Sequence, residues 1–272
     1  MKTLLRDGET LAYATACPAA GAARTVLLAH NLMCDRRVFA PLVRDLERDY
    51  RVINVDMRGH GASTAHAAFE IADTAGDAAA ILEQEGAGDV LVVGVSLGAS
   101  MAMELALARP SRIAGMVLLA PCGEAATRSE RVRDAFLVDL VAKQGLAGEL
   151  ATRTVEALFG PTFRASAAGV VEAWEDTLRR TVPAFAANAL GAWSRRRALL
   201  PDLARIEVPV TVVVGEEDAR CPPADGEKVH AALGRDAQLV RLAATGHTIP
   251  VERPAEVLAT VRAAAARARW RE

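Results

Sequence analysis

The chain has 272 residues, 51% of them hydrophobic, with a formal net charge of −2. That length is long for a small domain and short for two full ones, and its apolar content supports one sizeable core carrying an insertion. Acidic and basic residues are interspersed, so no basic field exists to attract a phosphate backbone or anionic lipid, which excludes nucleic acid and the membrane surface as expected partners.

Taken in chain order, Thr3–Leu5 and Thr10–Ala14 flank Arg6-Asp7-Gly8-Glu9 and predict an edge hairpin. Short β-branched runs then alternate with stretches of helical period: strand Thr25–Ala29, helix Val38–Arg48, strand Val52–Val55, helix Ile71–Glu85, strand Val90–Val93, helix Leu97–Arg109, strand Met116–Leu119. After a long interval the alternation resumes with Val210–Val214, Pro223–Leu233, Leu239–Leu242 and a terminal helix over Ala255–Arg269. Val26–Leu28, Val90–Val93 and Val210–Val214 are apolar throughout, as strands buried on both faces must be, so the pattern predicts a parallel sheet covered by helices on both sides.

Between Pro121 and Pro209 only helical patterns occur, punctuated by Gly145, Gly148, Gly160-Pro161, Gly169, Pro183 and Pro201. The expected organisation is a core of residues 1–121 and 209–272 with a helical cap at 122–208 inserted after a strand. Such an excursion sits over the carboxyl edge of the sheet, where open α/β sheets bind ligands.

Lys2 and a short apolar pair begin the chain, but Arg6, Asp7 and Glu9 interrupt any signal-peptide-like run, and no later run reaches the roughly 20 apolar residues of a membrane span. The expected address is cytoplasmic. Cys17, Cys34, Cys122 and Cys221 are dispersed without C-x-x-C spacing and read as reduced thiols, three of them following strands at the carboxyl edge.

The chemistry begins at Gly94-Val95-Ser96-Leu97-Gly98, a G-x-S-x-G run between an apolar strand and a helix, which places a serine on a sharp strand-to-helix turn. A serine hydroxyl needs an imidazole to take its proton and a carboxylate to hold that imidazole. Val210–Val214 ends in Gly215-Glu216-Glu217-Asp218, and Leu239–Leu242 is followed by Ala243-Ala244-Thr245-Gly246-His247, so Asp218 and His247 fit those roles at the same edge. Glu216, Glu217 and Asp225 remain competing carboxylates.

Leu28-Ala29-His30-Asn31, Asn54 to Ser63 with its Asp56-Met57-Arg58-Gly59-His60-Gly61, Gly94–Gly98, Gly215–Asp218 and Gly246-His247 resemble, in order and spacing, the signature segments of the α/β-hydrolase superfamily. The resemblance implies an α/β-hydrolase fold with a mostly parallel eight-stranded sheet, Ser96 as nucleophile, Asp218 as acid and His247 as base. It further implies an oxyanion hole formed by the backbone N–H groups of Leu32 and Leu97. Within the superfamily the chain looks most like 3-oxoadipate enol-lactonases and related small carboxylesterases.

Two positions depart from the usual pattern. Asn31 stands where glycine is customary and is expected to keep the turn by tolerating positive φ, its amide reaching into the pocket or crowding it. Ala99 replaces a third glycine and still permits close helix-to-sheet packing.

Other residues have blander readings. His30 and His60 are expected to hold loops by hydrogen bonding, Asp56 and Arg58 to form a turn-stabilising pair, and His66 and His230 to be solvated. Arg195-Arg196-Arg197 reads as a solvated face rather than a grip on an acidic substrate. Trp174 and Trp193 are pocket candidates with Asn31, the alternative being that the tryptophans hold the insertion together.

The reaction class these residues imply is acyl transfer to water on a small ester or lactone, without metal or organic cofactor. The alternatives are a carbon–carbon bond hydrolase or cofactor-free perhydrolase using the same three residues, and a non-catalytic ligand-binding protein on the same scaffold.

Overall fold

A computed structural model of the chain describes residues 1–18 and 24–271. Within them, β1 (Lys2–Arg6), β2 (Glu9–Ala16), β3 (Thr25–Ala29), β4 (Arg51–Val55), β5 (Val90–Val95), β6 (Ile113–Leu119), β7 (Val210–Gly215) and β8 (Gln238–Leu242) form one sheet in the order β1-β2-β4-β3-β5-β6-β7-β8. The pairings β1/β2 and β2/β4 are antiparallel and all others parallel.

The hairpin of β1 and β2 turns on Asp7 and Gly8, whose φ values of 51° and 78° supply the two left-handed residues that a tight hairpin demands. Strands β3, β5, β6 and β7 are buried along their whole length, the physical reason their sequences are continuously apolar, whereas edge strand β8 is only partly covered.

The covering helices are α1 (Ala40–Leu46), α2 (Ile71–Gln84) and α3 (Leu97–Ala108), then α9 (Pro223–Leu233), α10 (Ile249–Glu252) and α11 (Pro254–Arg267). α1 packs on α11, and α2 on α3. Between β6 and β7 lie α4 (Arg128–Gln144), α5 (Glu149–Leu158), α6 (Pro161–Ser166), α7 (Ala168–Arg179) and α8 (Pro183–Ser194). α4 begins at a capping box in which Thr127 and Glu130 satisfy each other's backbone N–H groups, and it packs along α8.

Two elements differ from the sequence reading. The helix expected over Val38–Arg48 is a 3-10 turn, Arg36–Phe39, followed by α1, because Pro41 starts a new helix more readily than it sits inside one. Strand β6 begins at Ile113, earlier than Met116, because a register shift between Val90 and Leu91 leaves Ala114 bulged and Gly115 still paired. No helix among the described residues is long and apolar enough to cross a membrane.

Candidate active site

Ser96 joins β5 to α3 with φ 52° and ψ −107°, a left-handed conformation that a non-glycine residue adopts only when its surroundings enforce it. They do so on both sides: the Ser96 N–H donates to Leu119 O at 2.9 Å, and Ser96 O accepts from the Ser100 N–H at 2.9 Å. The flanking glycines are steric necessities. A Cβ on Gly94 would lie 2.2 Å from Gly98 O, and one on Gly98 would lie 2.1 Å from Ala29 O. Ala99 is fully buried where α3 meets the sheet.

Met33, Ser96, Ala120 and Ala244, with φ between 47° and 63°, all carry left-handed backbone without being glycine. They follow β3, β5, β6 and β8 respectively, so apart from Asp7 in the β1–β2 hairpin the left-handed non-glycine positions among the described residues gather at the carboxyl edge of the sheet.

At that edge His247 Nδ1 lies 2.8 Å from Asp218 Oδ2. The other carboxylate oxygen, Oδ1, accepts the backbone N–H groups of Arg220 and Cys221, each at 2.8 Å, so the loop after β7 holds the acid in one orientation. Ser96 and His247 line one cavity of about 410 Å³, and among the described residues the ring's hydrogen bond is to Asp218 rather than to the Ser96 hydroxyl. Catalytic hydrogen bonds in unliganded enzymes are frequently longer than in the working complex.

Of the competing carboxylates, Glu217 is occupied elsewhere. Glu217 accepts from the Thr162 N–H at 3.0 Å and from the Thr162 hydroxyl, bonds that hold its carboxyl below the usual range. Asp225, on α9, is pushed upward by burial.

Leu97 opens α3, so its N–H is one of the first-turn donors without an intrahelical acceptor. Leu32 lies in a turn closed by the Cys34 N–H donating to Asn31 O at 3.2 Å. The left-handed residue of that turn is Met33, not Asn31, because positive φ falls on the third residue of such a turn and Asn31 is its first. The Asn31 amide points neither into the pocket nor against it: Nδ2 donates to Thr248 Oγ1 at 3.2 Å, and Thr248 donates in turn to Leu158 O at 2.8 Å. Asn31 thus ties the turn after β3 to the residue following His247.

The cavity is walled by Trp193 and by apolar residues of the helical excursion, among them Leu137, Val141, Leu146, Leu158 and Leu190. Neither Asn31 nor Trp174 lines it. Trp174, on α7, is buried under the guanidinium of Arg37, 5.5 Å from its ring centroid, and so braces the excursion against the loop after β3.

Several other expectations are corrected. Asp56 and Arg58 do not pair: Asp56 takes Arg36 and the Ala62 N–H, while Arg58 grips Asp77 through Nε at 2.9 Å and Nη2 at 2.6 Å. The arginine run is a solvated face at two of its three positions: Arg195 and Arg197 are exposed while paired with Glu70 and Glu104, and Arg196 departs from the expectation, being buried against Glu130. His66 is exposed, as expected, and its Nδ1 also meets Glu9 Oε2 at 2.9 Å.

His30 and His60 do hold loops, His30 Nε2 accepting the Met57 N–H at 2.9 Å and His60 Nδ1 donating to Arg58 O at 3.0 Å. Burial lowers the pKa of both rings, pushing His60 down to about 3. The thiols of Cys34, Cys122 and Cys221 are buried and pushed upward by desolvation, and none lines the cavity.

Three residues escaped sequence reasoning. Met33 and Arg220 line the cavity, and Glu252 is a buried carboxyl whose Oε2 accepts the N–H of Gly246 at 2.7 Å and of Gly160 at 3.3 Å. Glu252 thereby clamps the histidine loop to the α5–α6 junction, and burial raises its pKa. Arg220, two residues beyond Asp218 in a charged loop, carried a signal; Met33 and Glu252 carried none that periodicity or spacing reveals.

The profile of the alpha/beta hydrolase family matches residues 26–260. A pimeloyl acyl-carrier-protein methyl ester esterase of Neisseria meningitidis is 30% identical over 242 residues, covering 83% of this chain and 72% of that protein. Lipase LipV of Mycobacterium tuberculosis is 37% identical over a shorter stretch of 109 residues, 40% of this chain and 41% of the lipase. The crystal structure of the enol-lactonase from Burkholderia xenovorans LB400 shares the fold with a TM-score of 0.89 at 24% identity, over 97% of this chain and 100% of that one. With the elbow at Ser96, the sheet order and the family profile in agreement over most of its length, this chain belongs to the alpha/beta hydrolase family.

Proposed function

We propose that the protein is a serine hydrolase that cleaves a small carboxylic ester or lactone through an acyl-serine intermediate. The observation that carries this reading is the buried 2.8 Å contact of Asp218 with His247, which lines the same cavity as Ser96. The esterase and enol-lactonase among its relatives support it.

In this mechanism Ser96 Oγ attacks the carbonyl carbon while His247 Nε2 takes its proton, and Asp218 stabilises the imidazolium that forms. The N–H groups of Leu32 and Leu97 receive the tetrahedral oxyanion, each such donor contributing about 2.7–4 kcal/mol to the transition state. Collapse expels the alcohol oxygen, which takes the proton from His247. Water then repeats the sequence on the acyl-serine and frees the acid. Residues 122–208 act as the cap, supplying most of the apolar wall and keeping bulk water from the intermediate.

The test is turnover of p-nitrophenyl butyrate by wild type and Ser96→Ala, with fluorophosphonate labelling of the same pair. Loss of both in Ser96→Ala is the expected result. Equal rates for the two proteins would refute the reading, and preferential cleavage of a vinylogous 1,5-diketone would redirect it to carbon–carbon bonds.

A further inference from the structure

We propose that the bond from Asn31 to Thr248 sets the register between the oxyanion hole and the general base, which makes Asn31 and Thr248 positioning residues for the hydrolysis. This inference rests on the ester-hydrolase reading above and assigns two further residues to its site.

Hydrolysis needs the Leu32 N–H, the Leu97 N–H, the Ser96 hydroxyl and the His247 imidazole around one carbonyl group at once. Leu97 follows Ser96 directly, so the chain itself fixes their relation. Leu32 and His247 are placed differently. They lie in the loops that follow β3 and β8, which β5, β6 and β7 separate in the sheet, so strand pairing alone leaves their relative position to those loops. A side-chain bond joins the two loops beside both functional groups: Asn31 precedes Leu32, Thr248 follows His247, and Asn31 Nδ2 donates to Thr248 Oγ1 at 3.2 Å.

Both ends of that bond are anchored, and both residues are fully buried. Thr248 donates to Leu158 O twice, from its N–H at 2.9 Å and from its hydroxyl at 2.8 Å. Asn31 O accepts the Cys34 N–H at 3.2 Å and the ring N–H of His30 at 2.8 Å, because His30 Nε2 already accepts from Met57 and leaves Nδ1 as the donor.

Neither backbone nor substrate calls for asparagine at position 31, since its φ is not positive and its side chain does not line the cavity of Ser96 and His247. Among the described residues its Oδ1 is buried without a hydrogen-bond partner, an arrangement that weakens the fold and that an apolar side chain would avoid. The half of the amide that the site uses is the Nδ2 donor, and its acceptor is Thr248.

The experiment measures kcat and KM on p-nitrophenyl butyrate, the inhibition constant of butylboronic acid and the thermal midpoint for wild type, Asn31→Ala, Thr248→Val, the double variant and Thr248→Ser. Each single loss of the bond should lower kcat by about tenfold or more and leave KM within about threefold, since a displacement on the order of 1 Å at a reacting group costs up to about a hundredfold. The boronate, whose tetrahedral adduct with Ser96 fills the oxyanion hole, should weaken in parallel. The double variant should match the worse single rather than multiply the two losses, and Thr248→Ser, which keeps the hydroxyl, should recover most of the activity lost in Thr248→Val. Losses that multiply, losses carried by KM, a boronate affinity that does not follow kcat, a Thr248→Ser as slow as Thr248→Val, or a lowered thermal midpoint with kcat retained would overturn the inference while leaving the hydrolase reading intact. Should Asn31→Ala fail to fold, Thr248→Val reads the same bond from its other end. Absence of Ser96-dependent turnover on any ester would remove both.

Discussion

His247 Nδ1 and Asp218 Oδ2 stand 2.8 Å apart with their side chains 2% and 0% exposed, so this pair is sealed from solvent by the fold itself. Replacing Asp218 with Asn should lower kcat by a factor on the order of a thousand to ten thousand with little change in folding, because the amide reverses the hydrogen bond and selects the wrong tautomer. Glu217→Gln should change kcat only a few-fold, about the loss of one surface hydrogen bond, since Glu217 faces Thr162 instead. Steady-state kinetics on p-nitrophenyl butyrate rank the two, and the reverse order would reassign the acid.

The left-handed Ser96 implies a trade between stability and chemistry. Ser96→Gly and Ser96→Ala should both be inactive, but glycine removes strain of about 1–3 kcal/mol that alanine retains. Its melting temperature should therefore exceed that of the alanine variant by a few degrees, at about 2–4 °C per kcal/mol for a chain near this size. Identical calorimetric midpoints would mean the elbow is relaxed.

Gly246 meets Gly160 backbone to backbone. A Cβ at Gly246 would sit 2.1 Å from Gly160 N and 2.6 Å from Gly160 Cα, with no flexible side chain to give way. Gly246→Ala should destabilise the protein by about 1–3 kcal/mol and reduce kcat as well, because the displaced loop carries His247. Gly88→Ala, with nothing within 4 Å of its added Cβ, serves as the control and should stay within about 0.5 kcal/mol of wild type in urea unfolding.

Acid should weaken the fold through His60. Burial pushes its pKa from the ordinary 6.5 to about 3, and among the described residues its buried Nε2 has no hydrogen-bond partner, so a proton there creates a charge the interior does not accommodate. A histidine depressed in the folded state contributes stability that is present above pH 6.5 and lost as pH falls toward 3, at about 1.4 kcal/mol for each pH step of one within that window. Urea midpoints measured across the same range should fall less steeply for His60→Gln than for wild type. Parallel slopes would assign the acid sensitivity to other groups.

Much of this architecture is legible in the residues. Strands β3, β5 and β7 announce themselves by unbroken apolar runs, and the glycines around Ser96 mark a turn that no side chain could enter. What escaped were relations between segments far apart in the chain. Asn31 reads locally as a substitute glycine, yet its role is set by Thr248, more than two hundred positions away. Trp174 and Trp193 carry equal signals in sequence, and only the packing of α7 and α8 sends one under Arg37 and the other to the cavity. Within the run Arg195–Arg197, the burial of Arg196 is invisible in sequence because its partner Glu130 lies on another element.

The four tense residues along the sheet's carboxyl rim, Met33, Ser96, Ala120 and Ala244, have an implication for engineering. At about 1–3 kcal/mol apiece they rival a sizeable part of the roughly 5–15 kcal/mol that separates a typical domain from its unfolded chain. Relaxing them is the obvious route to a hardier protein, yet each lies at the edge of the sheet that carries Ser96, Asp218 and His247. Gains in heat resistance that spare turnover are therefore to be sought on the far side of the molecule, among the exposed turns of the outer helices.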